Sequence, residues 1–272
     1  MFDNQRYEQI REIFHGENTV AVWCCSDKRT GKKVVIKSFP KEVIDNSFYE
    51  NELHITELAQ GDNIIQLLDR FETQVSYNLV LEQGECDLFD YIMNNGPISE
   101  AKFMNTFGDL SKALERLHHR NILHKDIKPE NIVIVGDSYS FIDFGLSEIM
   151  SNVNQNNAFV GTTLFTAPEV VLNKSYTPDS DIYSFGIVMF FALSGELPFD
   201  CENSFQYVMN QINTPPDMNA LCNRHISQQI ILVIQRMLSP SPKDRPSISE
   251  IISTLWPQQN VTIDNNASNL WE

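Results

Sequence analysis

His124-Lys-Asp-Ile-Lys-Pro-Glu-Asn131 is followed twelve residues later by Asp143-Phe-Gly145, and 24 residues after Asp143 by Ala167-Pro-Glu169. Each string alone is short enough to arise by chance. Three of them in this order and spacing form a strong signal.

Working outward, the sequence changes character on either side of residues 83–85. Upstream, residues 20–25 and 34–39 are β-rich runs joined by Asp27-Lys-Arg-Thr-Gly31, which predicts a hairpin. Residues 46–60 read as a helix with Phe48, Leu53, Ile55 and Leu58 among polar residues, and 63–68 and 77–81 return to strand character. Downstream, Phe103, Phe107, Leu110, Leu114 and Leu117 recur at helical steps and share one face. Residues 181–193 are apolar almost all round, which predicts a buried helix. From Trp256 onward the chain is Gln/Asn-rich and aperiodic. The expected organisation is an α+β, two-lobed fold. Residues 1–83 form a small β-rich lobe with one main helix, 84–256 a larger helical lobe, and 257–272 a flexible tail.

Bulk properties exclude several classes. Twenty Lys+Arg against 36 Asp+Glu give a net charge of −16, the opposite of the basic footprint that nucleic acid or an anionic membrane requires. The longest apolar run, residues 185–193, is far short of the ~20 residues of a membrane helix. The cysteines, Cys24, Cys25, Cys86, Cys201 and Cys222, are odd in number and lack metal-clip spacing, so they read as reduced thiols. With residues 1–12 mostly polar and no signal-peptide pattern, an intracellular location, cytoplasmic or nuclear, is expected.

The three strings resemble the catalytic loop, magnesium triplet and activation-segment end of the eukaryotic protein kinase family, and the resemblance extends over residues 14–256. It implies a bilobal kinase fold using ATP and Mg²⁺. Phosphoryl transfer asks little covalent participation of the protein, so such a site works by positioning and charge neutralisation. The resemblance implies that Asp126 orients the acceptor hydroxyl and takes its proton. It gives Lys128 the charge developing on the transferred group, and Asn131 and Asp143 the metal. Lys128 followed by Pro-Glu is similar to serine/threonine rather than tyrosine kinases.

Val34-Val-Ile-Lys37 resembles the third-strand lysine motif, making Lys37 the expected ATP phosphate contact. Its partner is expected to be Glu52, eleven residues before Asn63-Ile-Ile. Glu50 and Glu57 compete, but at 100° per residue they point about 200° and 140° away, so only one of the three can face Lys37. By the same resemblance Val22 covers the adenine, Leu81 is the gatekeeper, Glu82 to Gly84 form the adenine-facing hinge and Asp87 is a ribose contact. Asp181 matches the aspartate that anchors the catalytic loop, Arg245 the buried partner of Glu169, and Thr162 the threonine linking Asp126 to Lys128.

Four features depart from the family. The phosphate-covering loop, residues 14–22, keeps only Gly16 of its three glycines, with Val20 near the place of the third; glycine there lets backbone approach phosphate. Lys125 stands where an arginine usually binds an activation-loop phosphate through a fork that lysine cannot reproduce. Residues 152–161 contain no Ser, Thr or Tyr, with Ala158 where an acceptor often sits, so activity without activation-loop phosphorylation is expected. Thr56 falls where a large apolar residue usually backs the C-helix, so a homodimer through that helix, or another partner, is expected to hold it.

Two further readings compete: a pseudokinase that scaffolds partners, favoured by the poor glycine loop, and a kinase-fold enzyme acting on small molecules. Retention of Lys37, Glu52, Asp126, Lys128, Asn131 and Asp143 outweighs the first. The Gly161-to-Glu169 segment, similar to a peptide platform although Phe165 replaces the commoner tyrosine, counts against the second. The expected partner is a protein substrate with a Ser/Thr acceptor, basic in character, with no nucleic acid or membrane. The small size and eroded glycine loop also resemble kinases of large DNA viruses, baculoviruses among them, which would place the protein in a host cell.

Overall fold

The computed structural model describes residues 5–15, 20–152, 164–173, 175–200 and 203–257. Its first part is a five-stranded antiparallel sheet in the order β1-β2-β3-β5-β4. The strands are β1 (Tyr7–His15), β2 (Ala21–Asp27), β3 (Lys33–Pro40), β4 (Leu67–Glu72) and β5 (Ser76–Glu82). β2 and β3 form the expected hairpin. Its turn is organised by Asp27, whose carboxylate accepts from the Arg29 N–H and the Thr30 hydroxyl while Gly31 adopts φ 70°. Arg6 reaches the same carboxylate with Nε and Nη2 at 3.0 and 2.8 Å.

Two strand expectations need correction. β1 carries no strand signal in the sequence, because register shifts between Gln9 and Arg11 and between Glu12 and Phe14 break the alternation that marks one. Residues 63–68 have strand character in the sequence, but only Leu67 and Leu68 belong to β4. The earlier part crosses to the second lobe: Asn63 sits at φ 58°, Ile64 bridges Phe141, and Ile65 donates to the Phe141 carbonyl.

The helix α1 (Asn46–Ala59) packs beside the sheet, capped by Asp45, which accepts from the Ser47 N–H. It buries Tyr49, Glu52, Leu53, Ile55, Thr56 and Ala59. Phe48 and Leu58 are not on that stripe and are exposed, Phe48 at 65%.

After the sheet come α2 (Leu88–Asn95) and α3 (Glu100–His119), the latter capped by Ser99. Phe103, Phe107, Leu110, Leu114 and Leu117 are all buried, as their spacing predicts. Short antiparallel pairs follow: β6 (Ile122–Leu123) with β9 (Glu148–Ile149), and β7 (Ile132–Val135) with β8 (Ser138–Phe141). The remaining helices are α4 (Pro168–Asn173), α5 (Pro178–Ser194), α6 (Ser204–Asn213), α7 (Asn219–Asn223), α8 (Gln228–Met237) and α9 (Ile248–Leu255).

α5 is the expected buried helix. It starts three residues before Asp181, where the Thr177 N–H donates to the Ser180 hydroxyl at 3.0 Å and the Ser180 N–H to the Thr177 carbonyl at 2.9 Å, with Pro178 in the first turn. Gly195 ends it in the left-handed conformation at φ 77°. Gly186 lets α8 approach so closely that an added Cβ would lie 2.9 Å from the Met237 Cβ. Phe107 and Phe141 each stack or tilt against Phe185, at 5.9 and 6.0 Å between ring centres, which ties α3 and β8 to this helix. Of the expected tail, residues 258–272 lie outside the described residues.

Candidate active site

The sheet's cleft-side face is set by register. Residues directly opposite across a strand pair share a face, so Val22 lies beside Lys37, Cys24 beside Val35, and Val35 beside Leu81. β3 thereby points Lys37 away from the sheet toward α1. Its Nζ lies 2.5 Å from Glu52 Oε1 and 2.8 Å from Asp143 Oδ1. Glu52 is thus the partner among the three candidate glutamates. Glu50 is exposed, and Glu57 faces outward to Arg70 at 3.2 Å.

Burial disfavours the Lys37 ammonium, but the adjacent Asp143 and Glu52 carboxylates outweigh it and hold the lysine charged. The Lys37 charge pulls Asp143 down to about 2. Burial pushes Glu52 above its ordinary range despite the lysine. The two carboxylates on one cation therefore titrate in opposite senses.

The β7–β8 hairpin brings the catalytic-loop string and the magnesium triplet together. Ile132 pairs with Phe141, and the Ile142 N–H donates to the Asn131 carbonyl at 3.0 Å. Within the loop, Asp126 Oδ2 accepts from Lys128 Nζ at 2.8 Å and from Asn131 Nδ2 at 2.7 Å. Asn131 Nδ2 also reaches the Asp126 carbonyl at 2.8 Å. With its amide N–H groups committed to Asp126, Asn131 keeps Oδ1 for a cation. Asp143 likewise receives Lys37 and the Gly145 N–H on Oδ1, leaving Oδ2. Among the described residues no three His, Cys, Asp or Glu side chains converge to hold a metal on their own. The set fits Mg²⁺, which takes one or two protein oxygens and completes its shell with phosphate and water.

Asp181, at the start of α5, accepts from the His124 and Lys125 N–H groups and pairs with His118 Nε2, all at 3.0 Å. Burial opposes its charge, yet the His118 contact and these donors keep it ionised below the usual carboxylate range. It holds Lys125 at φ 67°, a left-handed conformation uncommon outside glycine.

The residues between the lobes are fixed by backbone. Glu85 donates to the Ile134 carbonyl and Ile134 to that of Cys86, at 2.8 and 2.9 Å, and Asp87 bridges Val133. Gly84 touches this hairpin, since an added Cβ would meet the Val133 Cβ at 2.7 Å. Leu81, Glu82 and Gly84 are half-buried at the cleft. Asp87 caps α2 by accepting from the Asp90 N–H, a structural duty its candidacy as a ribose contact did not foresee. Arg245 meets Glu169 as matched.

Some expected features fall outside the described residues: Gly16, Ala158 and Thr162. Phe165 is buried. Others were missed. Lys125 Nζ pairs with Glu148 Oε2 at 3.0 Å and lies 4.3 Å over the Tyr176 ring. Arg120 Nη1 donates to the Leu58 and Gln60 carbonyls at 2.8 Å each, and Arg116 grips the Asp62 carbonyl. Thr56 is buried, and the helix it sits on is held by these arginines, by Lys37 and by Asn51, which donates to the Ser147 carbonyl. No local pattern announces such ties, because each joins residues far apart in sequence.

Similarity to known proteins agrees with this geometry. Residues 7–257 match the family described as protein kinase domain. The chain is 32% identical over 236 residues to the carbon catabolite-derepressing protein kinase of Candida glabrata, covering 84% of this chain and 37% of that protein. It is 30% identical over 254 residues to sperm motility kinase 2B of Mus musculus, covering 92% and 51%. It is also 32% identical over 264 residues to the PAS domain-containing serine/threonine-protein kinase of Mus musculus, covering 92% and 18%. The chain belongs to the protein kinase domain family. It spans about half or less of the length of these curated relatives.

Proposed function

We propose that the chain is an active serine/threonine protein kinase. The observation that carries this reading is the Lys37 ammonium held between Glu52 and Asp143, at 2.5 and 2.8 Å. That triangle joins the sheet, α1 and the magnesium triplet in one arrangement, as transfer from a metal-bound nucleotide requires.

In this reading ATP lies under β2 and β3, with Val22, Leu81, Glu82 and Gly84 around the adenine, Asp87 near the ribose and Lys37 on the phosphates. Asn131 and Asp143 hold Mg²⁺, which neutralises phosphate charge when bound. Asp126 orients the Ser/Thr hydroxyl and takes its proton as the new oxygen–phosphorus bond forms and the β–γ bridge breaks to release ADP. Lys128, already beside Asp126, balances charge on the transferred group.

The net charge of −16 supports a basic protein substrate. The reading extends to self-association through α1, whose outer side carries exposed Phe48. It extends also to an intracellular place, supported by free Cys24, Cys25, Cys86 and Cys222 among the described residues, where no helix is long and apolar enough to cross a membrane. The resemblance to viral kinases plays no part in the proposed reaction. The eroded glycine loop favours a second reading, a pseudokinase.

Transfer of γ-phosphate to a generic basic protein with Mg²⁺ separates the two. Wild type is expected to exceed both the Asp126→Ala and Lys37→Met variants by on the order of 10² or more. Equal rates for wild type and Asp126→Ala would leave the pseudokinase.

A further inference from the structure

The residue immediately before Asp126 is held unusually firmly. Lys125 has its backbone N–H on Asp181 Oδ1, its ammonium on Glu148 Oε2 at 3.0 Å, and the Tyr176 ring beneath that ammonium. The ion pair is largely withdrawn from water, with side-chain exposures of 12% for Lys125 and 19% for Glu148. The pair of Arg236 and Glu250, at 53% and 46%, is by contrast an ordinary surface contact of little worth. A pair inside the surface has lost water on both sides, so neither partner is removed without leaving the other stranded.

Glu148 is itself fixed. It opposes Leu123 in the β6–β9 pair, the Ser147 hydroxyl donates to the His124 carbonyl at 2.9 Å, and the Met150 N–H to the Asn121 carbonyl at 2.8 Å. The strand following Asp143-Phe-Gly145 is thereby stitched along the approach to the catalytic loop. The Lys125–Glu148 pair closes that seam next to Asp126.

We propose that Glu148 is a positioning residue: a carboxylate built into β9 that occupies Lys125 permanently and so fixes Asp126 for transfer without any phosphate being added to the chain. The Lys125 cation is already neutralised, and an arriving phosphate would meet the Glu148 charge beside it. This rests on the kinase reading and adds how the site is kept competent.

The test uses the full chain, dephosphorylated and confirmed phosphate-free by intact mass, with kcat and KM for MgATP measured separately. Wild type is expected to keep its activity in that form. Glu148→Gln, nearly isosteric, and Lys125→Met are each expected to lower kcat on the order of tenfold or more with KM changed less than twofold. The double variant is expected to be no worse than the poorer single one, because both remove the same contact. Thermal melts select variants that remain folded. Wild-type kcat in Glu148→Gln, losses that multiply in the double variant, or abolition of activity by dephosphorylation would each overturn the proposal. Failure of the kinase reading looks different: wild type itself then matches Asp126→Ala.

Discussion

Arg245 and Glu169 meet as a two-pronged fork, Nη1 to Oε1 at 2.6 Å and Nη2 to Oε2 at 2.8 Å, with the arginine side chain wholly buried. Arg245 also donates to the carbonyls of Ser239, Asp179 and Pro240 and lies over the Tyr183 ring. Removing one partner of such a buried pair leaves an uncompensated charge. Glu169→Ala is therefore expected to cost about 3–5 kcal/mol. Arg236→Ala, which breaks the exposed pair with Glu250, is expected to cost under about 1 kcal/mol. Urea denaturation of both variants decides the matter, and similar losses would show that burial is not what distinguishes the two pairs.

Acid should separate activity from stability. Glu52 takes up its proton in the folded protein at a higher pH than in the unfolded chain, where the value is about 4.3. That protonation breaks the tie to Lys37 yet favours the fold. The stability it contributes is complete below the unfolded value and lost as pH rises through the folded one. Asp143 behaves oppositely: its contribution is present above about 3.9 and disappears only as pH falls through about 2. Between neutrality and pH ~4.3, kcat/KM is expected to fall without a loss of Tm from this group. Glu52→Gln should be weakly active and lack that acid limb. Parallel loss of Tm and activity in wild type would contradict the assignment.

Gly84 faces β7 at a distance only glycine allows. Gly84→Ala would put a carbon 2.7 Å from the Val133 Cβ and 3.1 Å from the Ile134 carbonyl oxygen, so strand or hinge must shift. The expected cost is about 1–3 kcal/mol, accompanied by a raised KM for ATP. Val133→Ala should not restore the double variant, since the clash is with the Cβ itself, whereas Val133→Gly should do so in part. Rescue by Val133→Ala would place the strain elsewhere.

Asp181 serves three donors with two oxygens. In Asp181→Asn one oxygen becomes an N–H₂ group that faces donors, and the left-handed Lys125 backbone loses its anchor. A displacement of about 1 Å near reacting groups is worth roughly 10² in rate. A fall in kcat of that order is expected, with KM for the protein substrate little changed. Steady-state kinetics at saturating MgATP tests this, and an effect confined to KM would refute it.

The catalytic strings were legible because Asp126, Asn131 and Asp143 carry their chemistry in fixed local order. Glu52 was legible from the family resemblance, which places it eleven residues before Asn63; helical geometry added only that one of the three glutamates could face Lys37. The buried helices could be read from their apolar periods. β1 could not, since its bulges disturb the alternation. The partnership of Lys125 with Glu148 was also hidden: it depends on the β6–β9 pairing, which two-residue strands do not signal. The inner face of α1 was not legible either, because it depends on the opposing surface: Tyr49 turns inward while Phe48 is exposed.

The arginines at the end of α3 alter the mechanics of the molecule. Arg120 and Arg116 grasp the carbonyls of Leu58, Gln60 and Asp62, so the tail of α1 travels with the helical lobe, although the chain joins that helix to the sheet. Its inner side is fastened to the sheet as well, by the Glu52–Lys37 pair and by Tyr49 and Leu53, which pack with Phe39 and Leu79. Rotating one lobe against the other therefore pulls on a helix held from both sides, and Glu52–Lys37 is one of the contacts that bear the load. The helix is a shared axle, so opening the jaw and loosening the grip on the lysine load the same element.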